Sequence, residues 1–194
     1  MTATYNGQTI DLGEGWQGAA ICTEVAAGDV RCYDTPEEEQ LDLADESLGH
    51  ALEAEAVGLK VPNALSTKGA KQRTLTEVPR GAAGALADVQ DVSVGIQSIE
   101  QCTYGFACVY DATNYTGRIL KFASGGKNLA DWDFRDKTGS ACNNKSSGGM
   151  DFTDFRTGLP DPHAYTALGT CNKMTDVDYP YGGDWNNKAD HVSL

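Results

Sequence analysis

Six cysteines, Cys22, Cys32, Cys102, Cys108, Cys142 and Cys171, set the strongest limit on how this 194-residue chain can fold. None forms a C-x-x-C pair, so a zinc ribbon and a thioredoxin-like redox motif are both absent. An even number of cysteines at scattered spacings reads as a set of disulfides formed in an oxidising, extracellular compartment. The other reading is a set of buried free thiols in a cytosolic protein. Many connectivities are open, but two local pairs fit short turns. Cys22 and Cys32 flank a segment in which Gly28-Asp29 can turn a hairpin. Cys102 and Cys108 flank Thr103-Tyr104-Gly105-Phe106-Ala107, with Gly105 at the turn. That leaves Cys142 with Cys171. Each bridge contributes about 2–4 kcal/mol, mainly by restricting the unfolded chain.

Charge narrows the function. The formal net charge is −13, which argues against a nucleic-acid partner and against an anionic membrane surface, since both need a basic face. No stretch approaches the ~18 apolar residues of a membrane-spanning helix, so membrane insertion is not expected. No basic-then-apolar run follows Met1, so no signal peptide is read there: the protein stays inside, or the sequence starts at a mature N-terminus with Met added. The charge is uneven: residues 1–60 hold thirteen acids and two bases, whereas residues 102–194 hold eleven and nine. This asymmetry suggests an acidic unit over 1–60, a linker or loose connection over 61–92, and a separate domain over 93–194.

Local patterns fill in these units. Gln8-Thr9-Ile10-Asp11-Leu12 alternates as a half-buried strand does, and Ala19–Cys22 and Val30–Tyr33 can pair as a hairpin. Thr35 is an N-cap, Pro36 opens the helix and Glu38 completes a capping box. Leu41, Ala44, Leu48, Ala51 and Leu52 then mark one helical face, Gly58 is the stop, and the acid run Glu37-Glu38-Glu39 reads as the solvated side. Asp91–Ile99 and Phe106–Tyr110 read as strands.

After Phe106-Ala107-Cys108-Val109-Tyr110 comes Y-x-x-x-x-Y-x-G: Tyr110, Tyr115 and Gly117. This pattern, and the wider run CTYGFACVYDATNYTGRILKF, resembles the βγ-crystallin Greek-key signature, in particular the secreted actinobacterial subset that includes a metalloproteinase-inhibitor family. In that signature the glycine supplies a positive φ and the paired aromatic rings bury area beside it. The resemblance extends to Phe134–Asn144 and, more weakly, to Asn186–Val192, where the family carries its paired Asn/Asp elements. It implies a mainly β fold: a C-terminal double Greek-key sandwich preceded by a small α+β unit with one acidic helix. The second hairpin is expected near Phe152–Gly158 with altered aromatic spacing, and Leu159–Asp184 as an insertion or extended loop.

The resemblance also raises calcium, a hard cation that takes oxygen ligands. In the first copy Arg135 and Gly139 stand where ligands belong, and both depart from the pattern. In the second copy Asn187, Lys188 (through its carbonyl) and Asp190 form the only expected calcium set, with His191 departing from the usual serine. The plain alternative is that these polar residues close the turns by bonding to backbone.

Catalytic motifs are missing: no G-x-S-x-G, H-E-x-x-H or phosphate loop occurs, and His50, His163 and His191 show no partner spacing. The aromatic group Trp132, Phe134, Tyr179, Tyr181 and Trp185 is core packing, or a face on which a glycan stacks. The expected function is therefore that of a secreted, disulfide-stabilised, non-enzymatic protein that inhibits a secreted peptidase, as the resemblance implies. A rigid loop would enter the enzyme cleft, from Cys102–Cys108 or from the Leu159–Cys171 region. The alternative is an extracellular structural or ligand-binding module, stabilised by calcium.

Overall fold

Asn6 and Gly7 both adopt positive φ, 50° and 72°, and turn β1 (Thr2–Tyr5) back onto β2 (Gln8–Asp11) as a tight hairpin. The structure, a computed structural model, describes residues 1–44 and 101–194. A second hairpin joins β3 (Ile21–Ala26) to β4 (Asp29–Tyr33), with Cys22 directly opposite Cys32. The β1–β2 hairpin keeps the expected alternation through Ile10 and Leu12, but β3 starts at Ile21 and is buried at all of Ile21–Glu24, and the turn falls on Ala27-Gly28, with Asp29 already in β4. The expected strand over 91–99, the 61–92 connection, His50, Gly58 and the helical positions Leu48, Ala51 and Leu52 lie outside the described residues.

A helix opens at residue 36 and is described to 44. Thr35 Oγ1 accepts the Glu38 amide at 3.2 Å, and Glu38 Oε2 accepts the Asp34 amide at 3.0 Å, a capping box that reaches one residue further back than usual. The expected burial of this helix is corrected. Leu41 is 72% exposed, whereas Glu39, assigned to solvent, is fully buried. Polar partners on the sheet decide which side faces inward: Lys121 and Thr23 meet Glu39, and Arg31 and Tyr33 meet Asp42.

The second segment contributes eight strands in two sets of four. The first set is β5 (Ala107–Tyr110), β6 (Ile119–Phe122), β7 (Gly126–Asn128) and β8 (Ser140–Asn143). The second is β9 (Met150–Thr153), β10 (His163–Thr166), β11 (Cys171–Lys173) and β12 (His191–Ser193). The third strand of each set lies in the other set's sheet: β7 joins β10-β9-β12, and β11 joins β8-β5-β6. The backbone repeats this pairing. Gly139 N donates to Tyr110 O at 2.8 Å and Asp190 N to Thr153 O at 2.9 Å. Asp111 N donates to Arg118 O at 3.2 Å and Asp154 N to Pro162 O at 3.3 Å. The stretch expected as one extended loop, Leu159–Asp184, is corrected by this repeat: it carries β10, β11 and the short 3-10 helix Met174–Asp176. Strands of three or four residues alternate too briefly to stand out in sequence.

The larger sheet continues past β6 into the first segment, in the order β11-β8-β5-β6-β3-β4-β1-β2. β3 pairs in parallel with β6, Ile21 opposite Ile119 and Thr23 opposite Lys121. Residues on both sides of the expected connection therefore share one sheet. They also share one core, in which Leu12, Trp16 and Cys22 join Leu120, Phe122, Trp132, Phe134, Phe152, Trp185 and Val192. Trp16 stacks on Phe134 at 5.8 Å, and its Nε1 donates to Trp132 O at 2.8 Å. Each large apolar side chain buried here contributes about 1.5–3 kcal/mol. A smaller cluster, Ile21, Tyr33, Cys102, Cys108, Tyr110, Ile119 and Cys142, covers the outer face of the large sheet.

Gly139 packs directly against the backbone of the folded hairpin in its own set of strands. A Cβ there would stand 2.6 Å from Ala112 C and 2.9 Å from Thr113 N, both backbone. Gly139→Ala must therefore push the hairpin 111–118 away, and a loss of about 1–3 kcal/mol is expected in chemical denaturation.

Candidate functional site

All three disulfides are present: Cys22–Cys32, Cys102–Cys108 and Cys142–Cys171. Two are cross-strand bridges set by register, since Cys22 opposes Cys32 and Cys142 opposes Cys171. The Cys102–Cys108 bridge is different. It staples the chain entering β5 into a small loop whose two cysteines are buried on the outer face of the large sheet.

That loop is held almost atom by atom. Gly105 N donates to Asn144 O at 2.9 Å, and Asn144 N returns a bond to Phe106 O at 3.0 Å. Asn144 Nδ2 donates to Cys102 O at 2.6 Å, and Phe106 N donates to Thr103 O at 3.1 Å. Lys121 Nζ donates to Thr103 Oγ1 at 3.2 Å. Gly105 takes φ +98°, a conformation that an L side chain rarely adopts. The one large side chain left in solvent is Tyr104, 72% exposed. The result is an aromatic ring projected from a pre-ordered backbone.

The paired loops before β8 and β12 hold the residues expected to bind calcium. They clasp each other: Asp136 N donates to Ala189 O and Asn187 N to Thr138 O, both at 3.0 Å. Asp136 and Asn187 occupy matching left-handed conformations, φ 54° and 56°. Thr138 Oγ1 and Asn186 Oδ1 are buried here without a hydrogen-bond partner among the described residues. Asp190 is 1% exposed; its Oδ2 accepts the Phe155 amide at 2.7 Å, and its Oδ1 lies 2.5 Å from Arg135 Nε, an ion pair without hydrogen-bond alignment. The Asn187 backbone N–H joins the clasp, and the Lys188 ammonium sits over the Tyr179 ring at 5.7 Å. Burial and the nearby Asp190 push the Asp136 carboxyl above its usual range. Burial and the Asp154 carboxylate push the Tyr179 hydroxyl up to about 12.

A cation held by Asn187, the Lys188 carbonyl and Asp190 would compete with an arginine. In the second copy the charge facing Asp190 is already the Arg135 guanidinium, and in the first the backbone of Ala112 and Thr113 fills the space beside Gly139. Calcium and a chelator are accordingly expected to leave the melting temperature unchanged, within about 1 °C by calorimetry, because a ligand that does not bind the native state cannot stabilise it.

Elsewhere the two histidines among the described residues form no relay. His163 begins β10 rather than lying in a loop, and Asp151 Oδ1 at 2.7 Å and Thr153 Oγ1 at 3.3 Å both meet the same ring nitrogen, Nδ1. His191 begins β12, with its ring 6.0 Å from that of Phe155. Of the aromatic group, Trp132, Phe134, Tyr179 and Trp185 are buried and Tyr181 is exposed, its hydroxyl donating to Pro160 O at 2.7 Å. The Tyr110 and Tyr115 rings meet edge to face at 6.0 Å, and a Cβ on Gly117, whose φ is +81°, would lie 2.0 Å from Asp111 Oδ1. Sequence reasoning did not find the Glu39–Lys121 pair, which adjoins the stapled loop. No curated protein and no solved structure matches the chain. Residues 96–152, under a third of its length, match the profile of peptidase inhibitor family I36, and this span holds the stapled loop and β5 to β8.

Proposed function

We propose that the chain is a secreted, non-enzymatic inhibitor of peptidases that presents Tyr104 on the Cys102–Cys108 loop. The observation that carries this is a 72% exposed aromatic ring on a loop closed by a disulfide and fixed by backbone hydrogen bonds. Such a loop loses little conformational freedom on binding, so contact energy is not spent on ordering it. The family match over 96–152 supports the same role. Three disulfides suit an oxidising compartment, and no helix among the described residues is long and apolar enough to cross a membrane.

The scaffold reads as a double Greek key of βγ-crystallin type, supported by the exchange of β7 and β11 between sheets and by the repeated backbone bonds. The Leu159–Cys171 region suits the inhibitory role less well: it contains β10 and contributes to both sheets, although Leu159 and Leu168 are exposed. The alternative of a calcium-stabilised module meets the Arg135–Asp190 pair as its obstacle.

A panel of secreted metallo- and serine peptidases tests the proposal. At least one enzyme with an apolar pocket that accepts aromatic residues should lose activity at a 1:1 ratio, with the loop left intact. Full activity across the panel, or rapid cleavage next to Tyr104, would reject inhibition.

A further inference from the structure

The inhibitory loop is bonded to a residue that is in turn held by the N-terminal helix. Lys121 stands on the outer face of β6, with Thr23 opposite on β3 and Cys108 opposite on β5. Its side chain and that of Glu39 are each 1% exposed, and Nζ lies 2.5 Å from Glu39 Oε2. Glu39 Oε1 accepts the Thr23 hydroxyl at 2.5 Å. A second bond of the ammonium reaches Thr103 Oγ1, next to Tyr104, at 3.2 Å. Neither ion can stay buried without the other, so the helix fixes where the ammonium sits, and the ammonium fixes Thr103.

We propose that the N-terminal segment is a brace for the stapled loop, with Glu39 and Lys121 as positioning residues that set the conformation of Thr103 and hence the direction of Tyr104. This rests on the inhibitory role proposed above for the loop. Nothing covalent joins the two parts except the chain itself, because each disulfide lies within one segment: Cys22–Cys32 in the first, Cys102–Cys108 and Cys142–Cys171 in the second. Binding strength at the loop would then depend on a helix that lies outside the loop.

Two variants of the full chain separate the brace from a purely structural pin. Thr103→Val removes the bond from the ammonium to the loop and leaves the buried ion pair intact; Glu39→Gln weakens the pair itself. The readouts are amide hydrogen exchange at Gly105 and Phe106, melting temperature, and the inhibition constant against a peptidase from the panel. Thr103→Val should speed loop exchange and weaken inhibition each by roughly tenfold, the size of one hydrogen bond to a charged donor, with a fall in melting temperature of only about 3–6 °C, the equivalent of that one bond in a chain of this size, since the ion pair is untouched. Glu39→Gln should show the same loop effects together with a clearly larger fall in melting temperature. Unchanged loop exchange in both variants would overturn the brace. If exchange rises while no peptidase is inhibited by the parent chain, the brace stands and the inhibitory role falls. If Tyr104→Ala abolishes inhibition while Thr103→Val alters neither exchange nor binding, the inhibitory role stands and the brace falls.

Discussion

Tyr104→Ala should weaken inhibition of a susceptible peptidase by about 100- to 1,000-fold, while the melting temperature and the three disulfides stay as they are. The size follows from what the ring does. A large aromatic side chain at the centre of an interface is the usual seat of a binding hot spot, worth about 2–4 kcal/mol when truncated. Tyr104 is 72% exposed, so its removal leaves no cavity in the fold. The neighbouring backbone bonds, Gly105 N to Asn144 O and Asn144 N to Phe106 O, involve no side-chain atom of Tyr104. The loss should therefore appear almost wholly in the dissociation rate, as it does for most interface truncations. Tyr104→Phe keeps the ring and should keep most of the affinity. A Tyr104→Ala variant that inhibits as well as the parent would remove Tyr104 from the interface.

The second large effect concerns stability. Lys121→Met should cost about 3–5 kcal/mol, because it leaves the Glu39 carboxylate buried without its counter-ion. For a chain of this size that corresponds to a fall in melting temperature on the order of 10 °C. Burial pulls the Lys121 ammonium below its ordinary range, and Glu39 opposes that shift. The double change Lys121→Met with Glu39→Leu removes both charges, and much of the loss should be recovered, since apolar replacements of a buried pair are often neutral. Equal destabilisation by the single and double changes would show that packing, not charge, holds the helix to the sheet.

What was legible in the sequence was mostly local. The Thr35-Pro36-Glu38 start fixed the opening of the helix, Gly28 the β3–β4 hairpin (its turn one residue earlier than expected, at Ala27-Gly28), and Tyr110, Tyr115 and Gly117 the first folded hairpin. The cysteine pairs were legible for the same reason: two of them close short loops and the third follows from what remains. The misread features depend on partners far along the chain. Three consecutive glutamates give no sign of which one is buried, and the answer lies in Lys121, eighty-two residues from Glu39. The parallel pairing of β3 with β6 likewise joins segments separated by the whole 61–92 connection, and no local pattern announces a parallel neighbour. Arg135 illustrates a different limit. Its departure from the calcium pattern was visible, but that it would itself meet the Asp190 carboxylate required the two loops to be brought together.

The stapled loop is proposed to make the contact with the peptidase. Hydrogen exchange of the chain alone and bound to an inhibited peptidase measures this most directly. Added protection should fall on residues 102–108 and on the adjoining Asn144 strand end, with the 154–162 hairpin and the exposed edge strands β2 and β10 unchanged. Protection centred on 154–162, or on β10, with none over 102–108, would contradict it.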